Sequence, residues 1–232
     1  MANLAALQAA NQRRWAVARI QSARKAEFVA TAARLCKPQN VAYFKDAETR
    51  TGVPWFIVAV IKEREAGSDP SFLKNIAQGD PWNKVSIHVP KGRGPFASWI
   101  DAAIDALSRC APYASSWKDW SPGGAMTLLE QYNGLGYFNK GMPSPYVWSG
   151  TDQYARGKYI ADGVFSAGTV DVQLGCAGIL LAMAEINSDV ATRMGIKNKA
   201  QMPIPPDVSP ADTKPAKVSW LSAILSAFTR KA

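Results

Sequence analysis

The sequence predicts a mainly α-helical protein with one small β-hairpin, followed by a proline-rich linker and an amphipathic C-terminal helix. Three features support this fold class: long segments without glycine or proline, one apolar run of helical length, and a single stretch of strand-like alternation. We divide the chain into N-terminal helices at 1–50, a central domain at 51–199, a linker at 200–217 and a tail at 218–232. Of the 232 residues, 47% are hydrophobic and 19% are charged, a balance that permits a folded core.

The N-terminal region predicts two helices that pack on the domain. Residues 3–36 are rich in alanine, glutamine and arginine and contain neither glycine nor proline, which favours one long helix. A shorter helix is expected at 39–50. Gly52 then breaks the chain, and Pro54 stands where a new helix can begin.

The segment from Pro54 to Arg64 predicts a helix inside the core. It is apolar on nearly every side until Lys62, whereas a helix at the surface would show a polar face. Gly67 is suited to cap the C-terminal end of this helix. Glu65 therefore stands at the end of a buried helix, at the point where the chain leaves the core.

Residues 74–95 lack helical periodicity and are expected to hold the hairpin. Apolar and polar residues alternate over 85–89, as they would in a short strand, and Asp80 lies in a turn-like Gly-Asp-Pro sequence. Helical patterns return at 96–110, 124–132 and 170–185.

The last part of the chain has a different composition. Five prolines between 203 and 215 identify 200–217 as a linker. Apolar residues recur at helical spacing from Val218 to Phe228, which predicts an amphipathic helix. Two interpretations of this tail remain open: it docks on the domain, or it inserts at an anionic surface such as an outer membrane.

The charge and the cysteines limit the classes of partner and cofactor. The net charge is +9, from 27 Lys and Arg against 18 Asp and Glu, which attracts polyanions. The basic residues are scattered and form no recognisable module, so we expect no nucleic-acid partner. Three widely spaced cysteines suit neither a disulfide framework nor a metal site, so we expect reduced thiols and no metal or cofactor. Neither a signal peptide nor an apolar segment of membrane-spanning length is recognisable.

A carboxyl group at the exit of the buried helix is the main candidate for chemistry. Partial burial raises the pKa of a carboxyl group, and a carboxylic acid that stays protonated near neutrality can protonate the leaving oxygen of a glycoside. Glu63 and Glu65 are both candidates, but side chains two residues apart on a helix point about 200° apart. The alternative is an ordinary solvated carboxylate, paired with a neighbouring cation such as Arg64 or Lys62.

Two short motifs resemble those of known enzymes. Residues 52–67 resemble the helix of soluble lytic transglycosylases and goose-type lysozymes, in which Gly-Val, an apolar run and a catalytic Glu-Ser-Gly follow one another. Glu-Ala-Gly at 65–67 matches that motif, and the match selects Glu65. Residues 131–136, Gln-Tyr-Asn-Gly-Leu-Gly, resemble a Tyr-Asn-Ala-Gly block of the same superfamily. There the Tyr lies close to the catalytic Glu and the Asn contacts the sugar backbone, which implies the same positions for Tyr132 and Asn133.

More broadly, residues 50–185 are similar to a family of phage and prophage lysozyme-like proteins. The similarity is carried by blocks at 89–96, 103–107, 144–149 and 157–163. It implies a lysozyme-like domain of two lobes separated by a cleft, and an endolysin that degrades peptidoglycan. The implied reaction is hydrolysis of the β-1,4 bond between N-acetylmuramic acid and N-acetylglucosamine, with Glu65 as the acid.

The same resemblance suggests a second catalytic group. Some phage lysozymes place an Asp after the catalytic Glu and a Thr six residues beyond that Asp, a spacing that Asp80 and Ser86 share. Asp80 would then act as nucleophile or as base for a water held by Ser86; the alternative for Asp80 is a turn-forming role. We expect substrate contacts from five further residues, chosen as aromatic, amide or imidazole groups in loop-rich segments: Tyr132, Asn133, Tyr137, Trp82 and His88.

The same residues are also compatible with other functions. A lytic transglycosylase uses one carboxyl group and forms an anhydro sugar without water, and a chitinase-like enzyme would act on a related glycan. A non-catalytic wall-binding or virion protein could have kept the fold. The family resemblance implies a monomer that acts on peptidoglycan glycan strands and stays in the host cytoplasm until lysis releases it to the periplasm and cell wall.

Overall fold

The computed structural model describes residues 3–196, and within them ten α-helices, two 3₁₀-helices and one two-stranded sheet are found. This confirms a mainly helical fold with a small antiparallel hairpin. The predicted linker at 200–217 and tail at 218–232 lie outside the described residues. The helices are α1 (Leu4–Val17), α2 (Lys25–Leu35), α3 (Pro38–Thr51), α4 (Trp55–Ala66), α5 (Trp99–Arg109), α6 (Pro122–Tyr132), α7 (Gly136–Asn139), α8 (Pro145–Trp148), α9 (Cys176–Ile186) and α10 (Ser188–Arg193), with 3₁₀ turns at Ser22–Arg24 and Ala114–Ser116, and the strands are β1 (Lys158–Ala161) and β2 (Val164–Ser166).

The predicted single helix over 3–36 is wrong, because the chain breaks into α1 and α2. Ala18 has extended backbone angles, and Ile20 then forms an antiparallel bridge with Thr151. The Gln21 amide donates to the Gly150 carbonyl at 3.0 Å. A backbone segment that pairs with a distant strand-like segment cannot keep its helical hydrogen bonds, so this long-range pairing overrides the local helix preference. After the break, α1 packs against α6 and α2 packs against α9.

Helix α4 lies in the core, as its apolar sequence predicts. Every residue from Trp55 to Lys62 is buried. Lys62 is accommodated because its ammonium group donates to the backbone carbonyls of Gly67 (3.0 Å) and Asp69 (2.6 Å). Gly67 ends the helix with a φ of 62°, a conformation that side-chain-bearing residues adopt at a cost. The core is therefore built around the helix that delivers Glu65.

The predicted strand at 85–89 is also wrong, and the hairpin lies at 158–166 instead. The Asp80 carboxylate accepts hydrogen bonds from the Ile87 and His88 amides, at 2.9 and 3.0 Å. These amides are therefore not free to form a strand ladder. In the observed hairpin, Tyr159 pairs with Phe165 across β1 and β2.

The helix predicted at 170–185 starts later, at Cys176. The amides of Asp171 and Gly175 donate elsewhere, to the Tyr154 hydroxyl at 3.1 Å and to the Ser149 carbonyl at 2.9 Å, and this holds the preceding segment extended. The single-turn helices α7 and α8 and the short α10 were not predicted, since each is too brief to show a period.

A buried carboxyl group lies between α1 and α6. Glu130 is 1% exposed, and its Oε2 accepts only a long hydrogen bond, 3.4 Å, from the Asn11 amide. Its Oε1 has no partner among the described residues. Burial raises the pKa of Glu130 to about 7, and the Asn11 hydrogen bond and the Arg14 charge offset this only in part.

This carboxyl group is expected to make the fold less stable as pH rises. In the unfolded chain this carboxyl group ionises near its ordinary pKa of 4.5, but in the folded chain it ionises only near about 7. The free-energy cost of holding its charge in the interior is therefore absent below pH 4.5 and complete above pH 7. The full cost is about 3 kcal/mol. Urea unfolding should therefore show Glu130→Gln gaining about 3 kcal/mol relative to the native chain between about pH 4 and about pH 8. A difference that does not change with pH would contradict this assignment.

Candidate active site

The two glutamates at the end of α4 face different partners. Glu63 Oε1 accepts a hydrogen bond from the Arg34 guanidinium at 2.8 Å. Glu65 Oε1 accepts one from the Tyr146 hydroxyl at 2.9 Å. The helical spacing of two residues predicts that these two side chains point in different directions. Of the two, Glu65 is the one that contacts an aromatic side chain.

The surroundings of Glu65 favour its protonated form. The residue is partly buried, and burial is the largest influence, raising the pKa of Glu65 to about 7. The Tyr146 hydrogen bond and the Arg64 charge both lower the pKa and offset only part of this rise. A substantial fraction of the carboxyl groups is therefore protonated at neutral pH, as a general acid requires.

A second tyrosine lies close to the same carboxyl group. The Tyr132 hydroxyl is buried and has no hydrogen-bond partner among the described residues. Burial raises the pKa of Tyr132, and the nearby charge of Glu65 raises it further. Tyr132 is therefore a neutral hydroxyl that feels the charge of Glu65 and has no hydrogen-bond partner among the described residues; its predicted role in binding substrate remains a prediction.

Arg64 connects the acid to a buried ion pair. Its guanidinium lies over the Tyr146 ring, 4.6 Å from the centroid, and donates to the Leu174 carbonyl at 3.1 Å and to Asp171 at 3.2 Å. Asp171 also accepts from the Lys158 ammonium at 2.8 Å. Burial alone would raise the pKa of Asp171, but the Arg64 and Lys158 charges outweigh it, so the pKa lies below its ordinary value.

A groove of about 530 Å³ lies beside this cluster. Three of its lining residues are Arg64, Asn133 and Pro145, which directly adjoin Glu65, Tyr132 and Tyr146 in the sequence. Glu65, Tyr132 and Tyr146 are thus each one residue along the chain from a lining residue, although they are not themselves among the residues that line the groove.

The hairpin supplies another part of the lining. Tyr159, Ala161, Asp162 and Gly163 come from β1 and its turn. Tyr137 packs against Tyr159, with the two rings edge to face and their centroids 5.1 Å apart. The Tyr137 hydroxyl also accepts a hydrogen bond from the Tyr159 amide at 2.9 Å. Hydroxyl, amide and aromatic groups together suit a polar ligand with apolar C–H faces, such as a sugar.

The predicted site residues thus fall into two groups. Asn133 and Tyr137 line the groove, and Glu65 and Tyr132 each adjoin a lining residue in the sequence, whereas Asp80, Trp82, Ser86 and His88 belong to another segment and do not line it. Gly79 starts that segment in contact with Glu65: a Cβ at Gly79 would lie 2.8 Å from the Glu65 carbonyl oxygen.

The second group makes hydrogen bonds within its own segment. Besides two amides, Asp80 binds the His88 ring at 2.6 Å, and these contacts outweigh burial to lower the pKa of Asp80. Ser86 Oγ donates to the Pro90 carbonyl at 2.8 Å, and the Trp82 indole donates to the Phe72 carbonyl at 2.7 Å. The catalytic roles of Asp80 and Ser86 remain a prediction.

Sequence reasoning did not assign Tyr146 or Asp171 to the site. Tyr146 lies 81 residues from Glu65, and Asp171 lies 107 residues from Arg64. The only signal for Tyr146 is its place in the 144–149 block, and Asp171 has none.

Comparison with family models, with curated proteins and with solved structures finds no match to this chain. Among residues 3–196, no helix is long and apolar enough to cross a membrane, and no group of three His, Cys, Asp or Glu could hold a metal ion. All three cysteines are free thiols, with Cys110 and Cys176 buried.

Replacing Tyr146 with Phe is expected to raise the pKa of Glu65 by roughly one pH unit, because the lost hydrogen bond stabilises the carboxylate. NMR titration of ¹³C-labelled glutamate side chains measures this, with Glu65→Gln identifying the signal. Tyr137→Phe is the matched control, since the Tyr137 hydroxyl binds the Tyr159 amide instead. An unchanged or lower pKa in Tyr146→Phe would contradict the assigned contact.

Proposed function

We propose that the protein is a muramidase that hydrolyses the β-1,4 bond between N-acetylmuramic acid and N-acetylglucosamine in peptidoglycan. The observation that carries this proposal is that Glu65 is partly buried, accepts a hydrogen bond from Tyr146 and has its pKa raised to about 7, next in sequence to Arg64, which lines a groove. Glycoside cleavage requires a carboxyl group that is still protonated near neutral pH and that the glycosidic oxygen can reach.

In this proposal Glu65 gives its proton to the glycosidic oxygen as the bond to the anomeric carbon breaks. The remaining sugar passes through an oxocarbenium-like state, water attacks its anomeric carbon, and the proton that the water loses returns to the Glu65 carboxylate, which restores the acid. The Glu65 carboxylate that forms keeps the Tyr146 hydrogen bond and the nearby Arg64 charge. Both contacts favour the ionised form, so they stabilise the acid after it has given up its proton.

The groove supports a glycan as the ligand. Its lining includes the amide residue Asn133, the aromatic residues Tyr137 and Tyr159, and the cation Lys158. The Lys158 side chain is 35% exposed, so its ammonium group remains accessible from the groove despite its bond to Asp171. A cation at this place suits the carboxylate of the muramic acid lactyl group or of its peptide. The net charge of +9 would also favour adsorption to an anionic wall, less strongly at high salt.

The mainly helical fold with its small hairpin is compatible with the two-lobed lysozyme-like domain that the sequence resemblance implies. We retain that fold as part of the proposal, together with the release of the protein to the wall at lysis. The interpretation of the tail as a membrane-inserting helix concerns residues outside 3–196.

A second candidate, a lytic transglycosylase on the same site, is favoured by the contacts of Asp80. Both of its carboxylate oxygens already accept hydrogen bonds, from the Ile87 and His88 amides and the His88 ring. A transglycosylase requires only the single carboxyl group of Glu65, since the sugar itself provides the closing hydroxyl.

Digestion of purified peptidoglycan sacculi by the full chain tests the proposal. We expect soluble muropeptides, and mass spectrometry identifies the reaction: a reducing muramic end means hydrolysis, and an anhydro end means transglycosylation. Chitin is the control glycan. Failure to release muropeptides would leave the wall-binding, non-catalytic alternative, and release from chitin alone would indicate a chitinase-like enzyme.

A further inference from the structure

A second cavity, of about 170 Å³, is lined by residues from the end of α2, the start of α3 and the segment after α4. It shares no lining residue with the groove. Three cations, Arg34, Lys37 and Lys62, line it, and it is here called the basic cavity. Sites for drug-sized ligands are larger, about 300–1,000 Å³, so the basic cavity suits a single small group.

Lys62 brings a buried positive charge to the basic cavity. The residue is 1% exposed, and its ammonium group donates to the Gly67 and Asp69 carbonyls at 3.0 and 2.6 Å. It also lies 5.1 Å from the centroid of the Phe72 ring. An ammonium group has three N–H donors, so one remains after the two carbonyl bonds. Burial lowers the pKa of Lys62, and an anion in the cavity would offset this cost of holding the charge inside.

Arg34 and Lys37 add two cations that solvent can reach. One nitrogen of the Arg34 guanidinium donates to Glu63 at 2.8 Å, which uses one of the five N–H donors of that group. Lys37 is exposed, and its ammonium group makes no hydrogen bond or ion pair within residues 3–196. Both side chains therefore keep donors for a ligand.

The carboxylates near the basic cavity are fewer than its cations. Asp69 lines the cavity, but its carboxylate is held by three backbone amides of the turn that follows it, those of Ser71, Leu73 and Lys74. Glu63 pairs with Arg34 and does not line the cavity. Three cations against these two carboxylates leave the local charge positive.

The start of α3 adds a further donor to the basic cavity. Gln39 and Asn40, in the first turn of this 14-residue helix, both line the cavity. The Asn40 amide donates to the Lys37 carbonyl at 2.9 Å, whereas the Gln39 amide has no backbone partner among the described residues. Amides at the start of a helix carry a partial positive charge, which favours an anion beside them.

We propose that the basic cavity binds one phosphate group, either free or carried as an ester by a larger molecule. Arginine, lysine and the start of a helix are groups that proteins use to hold phosphates. A phosphate offers more acceptor oxygens than a carboxylate, which suits donors on three cations and one helix end. This proposal does not depend on the reaction proposed above, because the two sites share no lining residue.

Isothermal titration calorimetry of the full chain with inorganic phosphate tests this site, with chloride at equal ionic strength as the reference. We expect saturable binding of phosphate. Lys62→Met keeps a side chain of similar length without its charge, and it should lower the affinity by at least about tenfold. Lys37→Glu changes an exposed residue, so it leaves the core intact and should lower the affinity by at least about threefold. Thermal midpoints measured without phosphate confirm that each variant folds.

Lys45→Glu is the matched control, because Lys45 is an exposed lysine of α3 that does not line the basic cavity. It should bind phosphate as the native chain does. Glycerol 3-phosphate separates the two sources: binding as tight as that of inorganic phosphate supports a phosphate ester, and much weaker binding supports the free ion. The proposal is overturned if the native chain shows no saturable binding, if Lys37→Glu binds like Lys45→Glu, or if acetate binds as tightly as phosphate.

Discussion

Glu65→Gln is expected to lower the rate of muropeptide release by at least about a thousandfold. The amide has nearly the size of the carboxyl group and can still accept the Tyr146 hydrogen bond, but it cannot supply the proton that the leaving oxygen needs. The fold should therefore persist while the reaction fails. Rates of soluble muropeptide formation from sacculi, at matched protein concentration, measure the effect.

Glu63→Gln is the control on the same helix. It also removes one carboxylate, but that group binds Arg34 rather than Tyr146. We expect its rate to stay within about twofold of the native rate, since the amide of Gln can still accept the hydrogen bond from Arg34 and the Glu65 carboxyl group is unchanged. If Glu65→Gln kept most of the activity, or if both variants lost it equally, Glu65 would not be the acid.

Asp171→Asn is expected to destabilise the protein by about 3–5 kcal/mol. The Asp171 and Arg64 side chains are only 3% and 6% exposed, so the Arg64 charge would remain in the interior without its counter-charge. Lys158 would also lose its partner, although its greater exposure lets water compensate. Urea unfolding of the native chain and the variant at neutral pH gives the difference directly.

Asp162→Asn provides the comparison for this effect. Asp162 is an exposed residue of the hairpin turn that also lines the groove, so the change removes the same charge without uncovering a buried cation. Its effect on stability should stay within about 0.5 kcal/mol. A loss below about 1 kcal/mol for Asp171→Asn would mean that water or another group reaches the Arg64 guanidinium, against the burial seen here.

The helix that delivers the acid is predictable because its signals are local. The apolar run, Gly52 before it and Gly67 after it lie within a few turns of one another, and the structure places α4 at Trp55–Ala66. The strand expected at 85–89 fails for the opposite reason, since the Asp80 side chain removes its amides from any ladder. Alternation in a sequence cannot show that contact.

The candidate site likewise contains some residues that local sequence predicts and others that it does not. Glu65 and Tyr132 follow from short motifs, which carry their information within a few residues. Tyr146 and Asp171 reach the acid and Arg64 only through the folding of α8 and of the segment before α9. The break between α1 and α2 has a similar origin, because Ile20 bridges Thr151 far along the chain. These contacts depend on tertiary packing, which the sequence near each residue does not report.

The contact between Gly79 and the Glu65 carbonyl oxygen has a mechanical consequence. Since no side chain fits there, the end of α4 and the start of the segment that contains Asp80 lie directly against each other. Any larger residue at position 79 would have to displace the backbone of Glu65, so this glycine fixes where the acid stands relative to the loop that follows it.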